Sequence, residues 1–388
     1  VTPAFMEPRA AIASHDPGDD RLTLRLGCQS VHGMQAGLCQ VLDIPAEKLR
    51  VIVPDMGGGF GARGGVYMEY PVLLAAAREL GRPVRWTASR SEGMLTDTQA
   101  RDHVSKGELA LDSDGNFLAL RIRADWRHGA YLPSRSLWVT LHYMPPTIGG
   151  SYRLAEADIG IRGIFSNSTP QSAYRGVGRA EGNYLLESLI DAAARQMDLD
   201  PVELRRRNLV QSDDLPWRMA GGGVLTSGIF NGNLDQAAEL LAIEEVADDL
   251  PSHWLRGQGV AMYVENDGSM TTEYAEVEAF DNGKVLIRVG TQDFGMGHQT
   301  MYAQIASDRL GLAFDDIEVV FGDTDVVKRG MGSYGSRSAR MGGGAGVYGA
   351  EKMVERGREL AADMLEAAAE DIQYESGLFQ VAGTDRQT

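Results

Sequence analysis

Three glycine-rich turns have the residue types and positions that suit an anionic ligand. They lie at 57–63, 173–179 and 290–298, and each precedes a segment typical of a helix. Because glycine lacks a Cβ atom, main-chain N–H groups in such turns can approach a ligand closely, and the following helix N-terminus favours negative charge. One turn of this kind is usually only a tight turn. Three in one chain indicate a large, multiply anionic ligand held by main-chain donors.

The segments around these turns mix helix and strand signals. The first turn follows the strand-like residues 49–53, and the third follows the strand-like residues 285–289. Apolar spacing predicts helices at 31–42, 70–80, 181–197, 300–310 and 347–369, and hairpins at 104–125 and 277–289. Both halves therefore read as α+β, with mixed and antiparallel sheets.

A polar stretch predicts where the chain divides. Residues 243–256 are rich in acidic residues, and the strand and helix pattern restarts beyond them. We predict a first domain at 1–243, a linker at 244–256 and a second domain at 257–388. Since the chain begins at Val1, without an initiator methionine, we expect a fragment or a processed piece.

Composition excludes several classes of partner. The net charge of -17 argues against nucleic acid and anionic membranes, which bind basic surfaces. We find no apolar run of about 20 residues and no signal-peptide pattern. The two cysteines, Cys28 and Cys39, cannot by themselves hold an iron–sulfur cluster or a structural zinc. They favour a reducing, cytoplasmic location.

Several short segments have a characteristic order along the whole chain. They are Met6-Glu7-Pro8-Arg9, Gln29, 57–63, Gly81-Arg82-Pro83-Val84, 173–181, 290–298, Gly322-Asp323-Thr324-Asp325 and 334–338. In this order and spacing they resemble the large, molybdenum-cofactor-binding subunit of the xanthine oxidase family of molybdenum hydroxylases. The similarity is greatest to the bacterial branch related to the carbon monoxide dehydrogenase large subunit. It covers the middle of such a subunit and implies two mixed α/β molybdopterin-binding domains, the second of them truncated at its C-terminus.

The resemblance also implies an activity and partners. Members of the family hydroxylate a carbon centre with molybdenum bound to a pterin and with water as the oxygen source. For this chain we expect an aldehyde or an N-heteroaromatic substrate and molybdopterin cytosine dinucleotide. Electrons would leave through iron–sulfur clusters and FAD on partner subunits, in a dimer of heterotrimers.

The resemblance assigns residue roles, with no residue bound directly to the metal. Gln29 resembles a glutamine that donates a hydrogen bond beside the metal, and Arg175 resembles an arginine whose main-chain N–H faces it. The remaining cofactor-binding candidates are Gly59, Phe60 and Gly61 of the first turn, Gly295, Met296, Gly297 and His298 of the third, and Gly335, Ser336, Arg337 and Ser338. Taken singly, Gln29, Arg175 and His298 are typical of ordinary polar, surface and capping residues. Only their joint spacing gives the resemblance.

One departure from the family concerns the catalytic base. The family uses a glutamate in a Gly-x-Gly-Glu segment, and no such segment follows Ser338 here. We therefore assign no catalytic base to this chain, expect that glutamate on a missing C-terminal part, and expect the isolated chain to be inactive. The alternative is a non-catalytic molybdopterin-binding fragment or pseudo-subunit. An unrelated glycine-rich nucleotide-binding protein is a third possibility.

Other departures concern the cofactor and the substrate. Met296 stands where the family usually has a glutamine that contacts the pterin, so one amide contact is missing. Gly64, Tyr143 and Val177 stand where purine hydroxylases have Glu, Arg and Phe, and we interpret these three as substrate-pocket positions. The sequence Arg175-Gly176-Val177 also lacks the cysteine that bridges to copper in carbon monoxide dehydrogenase. Xanthine and carbon monoxide are both disfavoured.

Overall fold

The computed structural model describes residues 2–154, 156–243, 251, 253–255, 257–266, 268 and 272–388. The chain forms two compact units: Thr98–Asn266 with the chain start make the first, and Pro3–Asp97 with Asp267–Thr388 make the second. The predicted linker at 244–256 lies mostly outside the described residues, so the predicted domain boundaries stay a prediction. The units combine the chain differently from that linear division, because the first strands pack with the C-terminal part.

The elements are as follows in chain order. Residues 3–97 form β1 (Ala10–Asp16), β2 (Arg21–Leu26), α1 (Val31–Leu42), β3 (Leu49–Ile52), α2 (Glu69–Leu80), β4 (Val84–Thr87) and α3 (Arg90–Thr96). The first unit contains β5 (His103–Leu111), β6 (Phe117–Gly129), α4 (Ser136–Trp138), β7 (Glu156–Phe165), α5 (Arg179–Met197), α6 (Pro201–Asn208), β8 (Trp217–Arg218), β9 (Val224–Leu225) and α7 (Phe230–Ile243). The second unit continues with β10 (Ala275–Ala279), β11 (Val285–Val289), α8 (His298–Leu310), β12 (Ile317–Val320), α9 (Gly343–Leu365), β13 (Ile372–Glu375) and β14 (Leu378–Val381).

Two strand–helix–strand crossovers organise the second unit. Strand β2 is parallel to β3, with α1 between them, in a sheet of order β3-β2-β1-β4. Strand β11 is parallel to β12, with α8 between them, in the sheet β10-β11-β12. A main-chain hydrogen bond from Val53 to the Gly322 carbonyl, 2.7 Å long, joins the strand ends of the two sheets. Both strand-to-helix connections therefore belong to one compact unit.

Local sequence explains where α1 begins and ends. The Ser30 hydroxyl accepts the Gly33 N–H at 3.1 Å and caps the helix, and Asp43 ends it in the left-handed region at φ 53°. Apolar side chains on one face, among them Met34 and Leu38, are buried against the sheet. The connection from β2 to this capped helix holds Gln29 in place.

The first unit is built around the sheet β5-β6-β7. Strands β5 and β6 form the predicted hairpin, and β7 adds parallel to β6. Alternate residues of β6 point into the core, where Leu120, Ile122 and Trp126 are each at most 1% exposed and pack with α5. These sheets confirm the predicted fold class. Among the described residues, the structure has no helix with the length and apolar character that crossing a membrane requires.

Candidate cofactor-binding site

Gln29 ties three segments of the second unit together. The residue is 2% exposed. Its Oε1 accepts the Gly61 N–H at 2.9 Å, and its Nε2 donates to the Ser333 carbonyl at 3.0 Å. In the main chain, Gln29 donates to the Arg63 carbonyl at 3.1 Å and accepts from Ser333 at 2.8 Å. We call Gln29, Gly61 and Ser333 the Gln29 junction.

Two glycines make the junction possible. A Cβ atom on Gly59 would lie 2.7 Å from the side-chain Cδ of Gln29, closer than van der Waals contact permits. A Cβ on Gly332, which has φ +92°, would collide with the main-chain oxygen of Gln29. Larger residues at either position would displace the amide. Close main-chain approach from both sides therefore fixes the orientation of Gln29.

Gln292 extends the junction into the connection between β11 and α8. The side chain is 1% exposed, and its Nε2 donates to the Cys28 carbonyl. Its main-chain N–H donates to the Ser333 hydroxyl at 2.9 Å, which in turn lies 3.1 Å from the Ser338 hydroxyl. Within the described part of the chain, Gln292 Oε1 has no hydrogen-bond partner. A buried acceptor of this kind suits an N–H group of a ligand.

The Asp293 carboxylate accepts three main-chain hydrogen bonds in the third glycine turn. Its Oδ1 accepts the N–H groups of Gly295 at 2.9 Å and Met296 at 2.7 Å, and its Oδ2 accepts that of His298 at 2.9 Å. Burial would raise the pKa of Asp293, but these hydrogen bonds outweigh it and hold the pKa below its ordinary value. The carboxylate thus supplies the negative charge that the start of α8 attracts.

The imidazole of His298 faces inward. Its Nδ1 lies 3.0 Å from the Gln292 carbonyl, and because a carbonyl only accepts, Nδ1 carries the hydrogen. Burial lowers the pKa of His298, so the ring is neutral at pH 7. The side chain therefore anchors the turn and adds no positive charge there.

Arg337 of the segment 335–338 forms a buried ion pair with Glu273. Both side chains are 0% exposed, and Arg337 also donates to the Gly332 carbonyl at 2.9 Å. The Glu273 carboxylate accepts the Met331 N–H at 3.2 Å. The guanidinium of Arg337 is thus held both by Glu273 and by the Gly332 carbonyl of its own loop.

The second glycine turn lies in the first unit and has a different construction. Gly176, Val177 and Gly178 are consecutive residues with φ of 93°, 47° and 87°. The guanidinium of Arg101 donates to the Tyr174 carbonyl at 3.4 Å and to the Arg175 carbonyl. It also pairs with Glu181 of α5 at 3.0 Å. We call residues 174–178 the Arg175 turn.

Comparison with known proteins identifies the type of domain. A family model described as a molybdopterin cofactor-binding domain matches residues 1–209, and a second model with the same description matches residues 234–388. The chain is 35% identical to 6-hydroxypseudooxynicotine dehydrogenase complex subunit gamma of Paenarthrobacter nicotinovorans, over 98% of this chain and 49% of that protein. It is 32% identical to the carbon monoxide dehydrogenase large chain of Hydrogenophaga pseudoflava, over 99% and 50%.

A solved structure agrees with these matches. Quinoline 2-oxidoreductase from Pseudomonas putida 86 superposes with a TM-score of 0.88 at 33% identity, over 99% of this chain and 51% of that one. The chain belongs to the molybdenum-binding large subunits of the xanthine oxidase family, in the branch of carbon monoxide dehydrogenase. It spans about half the length of the relatives that it matches.

The predicted main-chain donors differ in whether they already donate a hydrogen bond within the chain. Among the described residues, several main-chain N–H groups donate no hydrogen bond within the chain: those of Gly59, Phe60, Arg175, Gly176, Gly335 and Ser336. By contrast, the N–H groups of Gly61, Gly295, Met296 and His298 are taken by Gln29 and Asp293. The structure thus divides the predicted donors into available and committed ones.

The predicted substrate-pocket residues have varied surroundings. The Tyr143 ring is 8% exposed, and the guanidinium of Arg179 lies 4.7 Å from its centre. Val177 is half-buried within the Arg175 turn, and Gly64 is half-buried at the end of a short 3₁₀ helix in the second unit. The described residues contain no group of three His, Cys, Asp or Glu side chains that could bind a metal.

The sequence analysis missed three polar residues that shape these turns: Arg101, Gln292 and Asp293. Only Asp293 carried a usable signal, because an acidic residue five positions before a helix start is within reach of its first N–H groups. Arg101 lies 74 positions from Arg175, and Gln292 lies 264 positions from Cys28. Contacts over such separations have no local pattern.

Proposed function

We propose that the chain is the molybdenum-cofactor-binding portion of a hydroxylase that oxidises an aldehyde or N-heteroaromatic carbon. The observation that carries this proposal is the Gln29 junction. The amide nitrogen has two hydrogens, and the Ser333 carbonyl takes one, so one remains for a ligand. The names of the relatives, which include nicotine 6-hydroxylase and quinoline 2-oxidoreductase, favour the N-heteroaromatic class.

The available donors fit a molybdopterin. Gly59 and Phe60 lie beside the Gln29 amide, and Gly335 and Ser336 offer main-chain N–H groups from another loop of the same unit. The Arg175 turn is proposed to supply further N–H groups. Such neutral donors suit pterin oxygens and a pyrophosphate. The buried Oε1 of Gln292 suits a pterin N–H.

The bound cofactor would take up two electrons as a substrate C–H bond is replaced by a C–OH bond from water, with release of two protons. This chain's residues bind and orient the cofactor. The Gln29 amide donates without adding charge, and its fixed orientation avoids reorganisation during turnover. Neutral His298 anchors the third turn.

We propose that the cofactor is the cytosine dinucleotide form, and that partner subunits carry iron–sulfur clusters and FAD in a cytoplasmic dimer of heterotrimers. Two cysteines cannot supply the ligands of such clusters. The description of one relative as subunit gamma of a complex supports a multisubunit enzyme. Purification of the native complex, with metal and flavin analysis, tests this. A molybdenum-containing complex without iron or flavin would contradict it.

The proposed pocket positions support a substrate other than a purine. With Gly64, Tyr143 and Val177, the chain lacks the charged and stacking side chains that anchor a purine. Each lost hydrogen bond to a charged group weakens binding by about 1.5–3 kcal/mol. In the native complex we therefore expect kcat/KM for xanthine to be at least about 100-fold lower than for quinoline or an aromatic aldehyde. Efficient xanthine oxidation would refute this assignment.

A second candidate is a non-catalytic molybdopterin-binding subunit, in which the same main-chain donors would hold the cofactor without turnover. Analysis of molybdenum and pterin in the native complex, followed by turnover of the three substrates, separates the two candidates. Full loading with turnover supports the hydroxylase. Full loading without turnover of any of them supports the non-catalytic subunit, and absence of pterin contradicts both.

A further inference from the structure

We propose that Arg101 is a positioning residue that aims the main-chain N–H groups of the Arg175 turn at the cofactor. The proposal rests on the proposed function, because the cofactor gives those N–H groups their purpose. Arg101 does not belong to any of the glycine-rich segments, and its part would be to orient peptide groups that belong to other residues.

The geometry of the peptide group links the two carbonyls that Arg101 contacts to the N–H groups that follow them. In a trans peptide, the carbonyl and the N–H of the next residue point in opposite directions. The guanidinium of Arg101 can only donate, and it donates to the carbonyls of Tyr174 and Arg175. The N–H groups of Arg175 and Gly176 therefore point away from Arg101. These two N–H groups donate no hydrogen bond within the described residues.

A buried carboxylate holds the guanidinium in turn. The Glu181 side chain is 2% exposed, and its Oε1 lies 3.0 Å from Arg101 Nη1. Its second oxygen, Oε2, has no hydrogen-bond partner in the described part of the chain. A buried carboxylate is costly without a cation. Glu181 therefore keeps Arg101 in place against the turn.

The conformation of the turn explains why it needs this support. Three consecutive residues from Gly176 have positive φ, and Val177 is among them although a branched side chain disfavours that region. Arg101 itself has φ +69°. Such strain persists only where neighbouring contacts enforce it, and it occurs often at ligand-binding sites. Tyr174 adds a further contact, with its ring centre 5.4 Å from the guanidinium.

The planar shape of the Arg101 guanidinium matters as well as its charge. A guanidinium presents several donors in fixed directions, whereas a lysine ammonium is a compact charge on a flexible stem. Lysine at position 101 can pair with Glu181 but cannot hold both carbonyls in the same geometry. Arg101→Lys should consequently preserve folding and lose much of the positioning, while Arg101→Gln loses both the charge and the fork.

The experiment compares Arg101→Lys, Arg101→Gln and Glu181→Gln with a control, Arg206→Gln, in the complete native complex. Arg206 lies in the same unit and pairs with Asp235 at 2.6 Å, but it contacts no residue of the Arg175 turn. Hydrogen exchange is followed at the N–H groups of Val177 and Arg179, which donate to the Tyr174 and Gly176 carbonyls. Molybdenum and pterin content, the molybdenum electron paramagnetic resonance signal, kcat and KM are measured on the same samples.

We expect exchange at Val177 and Arg179 to become at least about tenfold faster in Arg101→Gln, less so in Arg101→Lys, and unchanged in the control. We expect kcat to fall about 10- to 100-fold and KM to change by less than kcat, together with an altered resonance signal. The reason is that Arg101 would fix the N–H groups of Arg175 and Gly176, which would contact the cofactor, whereas only Val177 of this turn is a proposed substrate-pocket position. Exchange rates equal to those of the wild type, or a kcat equal to that of the control, would overturn the proposal.

If Arg101→Gln does not fold, Arg101→Lys decides by the same criteria. A wild-type complex without pterin would refute the proposed function, while the exchange rates would still judge the role of Arg101 in the turn.

Discussion

The Gln29 junction and the Arg175 turn solve a similar problem with different chemistry. At the junction, neutral groups fix the main chain: an amide, a hydroxyl and peptide groups of three segments. At the turn, a charged guanidinium does so, and a buried carboxylate balances it. Both arrangements leave main-chain N–H groups without a partner among the described residues.

The two sites differ in which hydrogen-bond donors remain without a partner within the described residues. At the junction the fixing side chain keeps a donor of its own, so Gln29 both positions its neighbours and offers a hydrogen bond. At the turn the fixing side chain is occupied by carbonyls and Glu181, so only peptide groups are offered. The Gln29 amide can therefore orient main-chain groups and also donate a hydrogen bond to a ligand. The Arg101–Glu181 ion pair can only orient main-chain groups.

The largest effect should follow from breaking the junction with Gln29→Ala. The change leaves the Gly61 N–H and the Ser333 carbonyl unpaired in a buried place, which should cost about 2–4 kcal/mol of unfolding free energy. Loss of a preoriented donor should lower kcat about 10²- to 10³-fold. Chemical denaturation, molybdenum content and turnover of the native complex measure both effects.

A matched control for this change is Gln35→Ala. The Gln35 amide donates to the Leu49 carbonyl at 2.6 Å and to the Ala46 carbonyl at 3.1 Å, away from the junction. It should lower stability and leave the kcat of the loaded enzyme unchanged. Equal loss of kcat in both variants would reduce Gln29 to a structural residue.

A smaller effect should follow from Gly59→Ala, which leaves every junction hydrogen-bonding group in place but removes the space for the amide. The new methyl group would lie 2.7 Å from Gln29 Cδ, and overpacking of this kind costs about 1–3 kcal/mol. Because the amide must shift, we expect kcat to fall as well, by less than in Gln29→Ala. Thermal unfolding and turnover are the measurements, and an unchanged kcat would show that the amide orientation is unimportant.

Asp293→Asn tests a third arrangement, in which a carboxylate holds N–H groups directly. At pH 7 the change should cost about 1 kcal/mol, because an amide keeps only one acceptor oxygen and the His298 N–H loses its acceptor. Hydrogen bonds hold the folded-state pKa of Asp293 below its ordinary value, so its contribution is present above about pH 4 and lost as pH falls further. Denaturation at several pH values should show wild type and variant converging below about pH 4. A constant difference down to pH 3 would contradict the assignment.

The smallest effect is expected at Gly344, which serves as the reference for Gly59. A Cβ atom there would meet nothing within 4 Å, and the residue lies in α9. Gly344→Ala should raise the unfolding free energy by about 0.5–1 kcal/mol, because alanine is the better helix former. Thermal unfolding measures it. A loss of stability similar to that of Gly59→Ala would mean that the Gly59 result does not report on Gln29.

Much of the secondary structure could be predicted from local patterns. The helix predicted at 31–42 is α1 with the same bounds, and both predicted hairpins are present. Helix α9 begins at Gly343, before its predicted start at 347, because close packing of Gly343 against Ile305 of α8 overrides the poor helix propensity of glycine. Strands β1 and β7 were not predicted, because β1 is rich in alanine and β7 contains two glycines, and both residue types are depleted in strands.

The candidate site was predictable as a set of turns but not as a set of contacts. Sequence spacing indicated that Gln29 and the glycine turns belong together. It could not show that Gln29 bonds to Ser333, which lies 304 positions away, or that Asp293 takes three N–H groups of its own turn. Which donor remains available depends on such side-chain contacts, and these follow from the tertiary fold.

The carboxylate of Asp293 also has a consequence for assembly. A helix start that carries its own counter-charge needs no ligand to hold its shape, so the connection from β11 to α8 can fold before any cofactor arrives. In the proposed site, the loops at Gly59 and Gly335, whose N–H groups have no such internal partner in the described chain, would gain hydrogen bonds only when the cofactor binds. The second unit would thus combine a preformed connection with loops that are completed on cofactor binding, so that the protein could fold first and receive its prosthetic group afterwards.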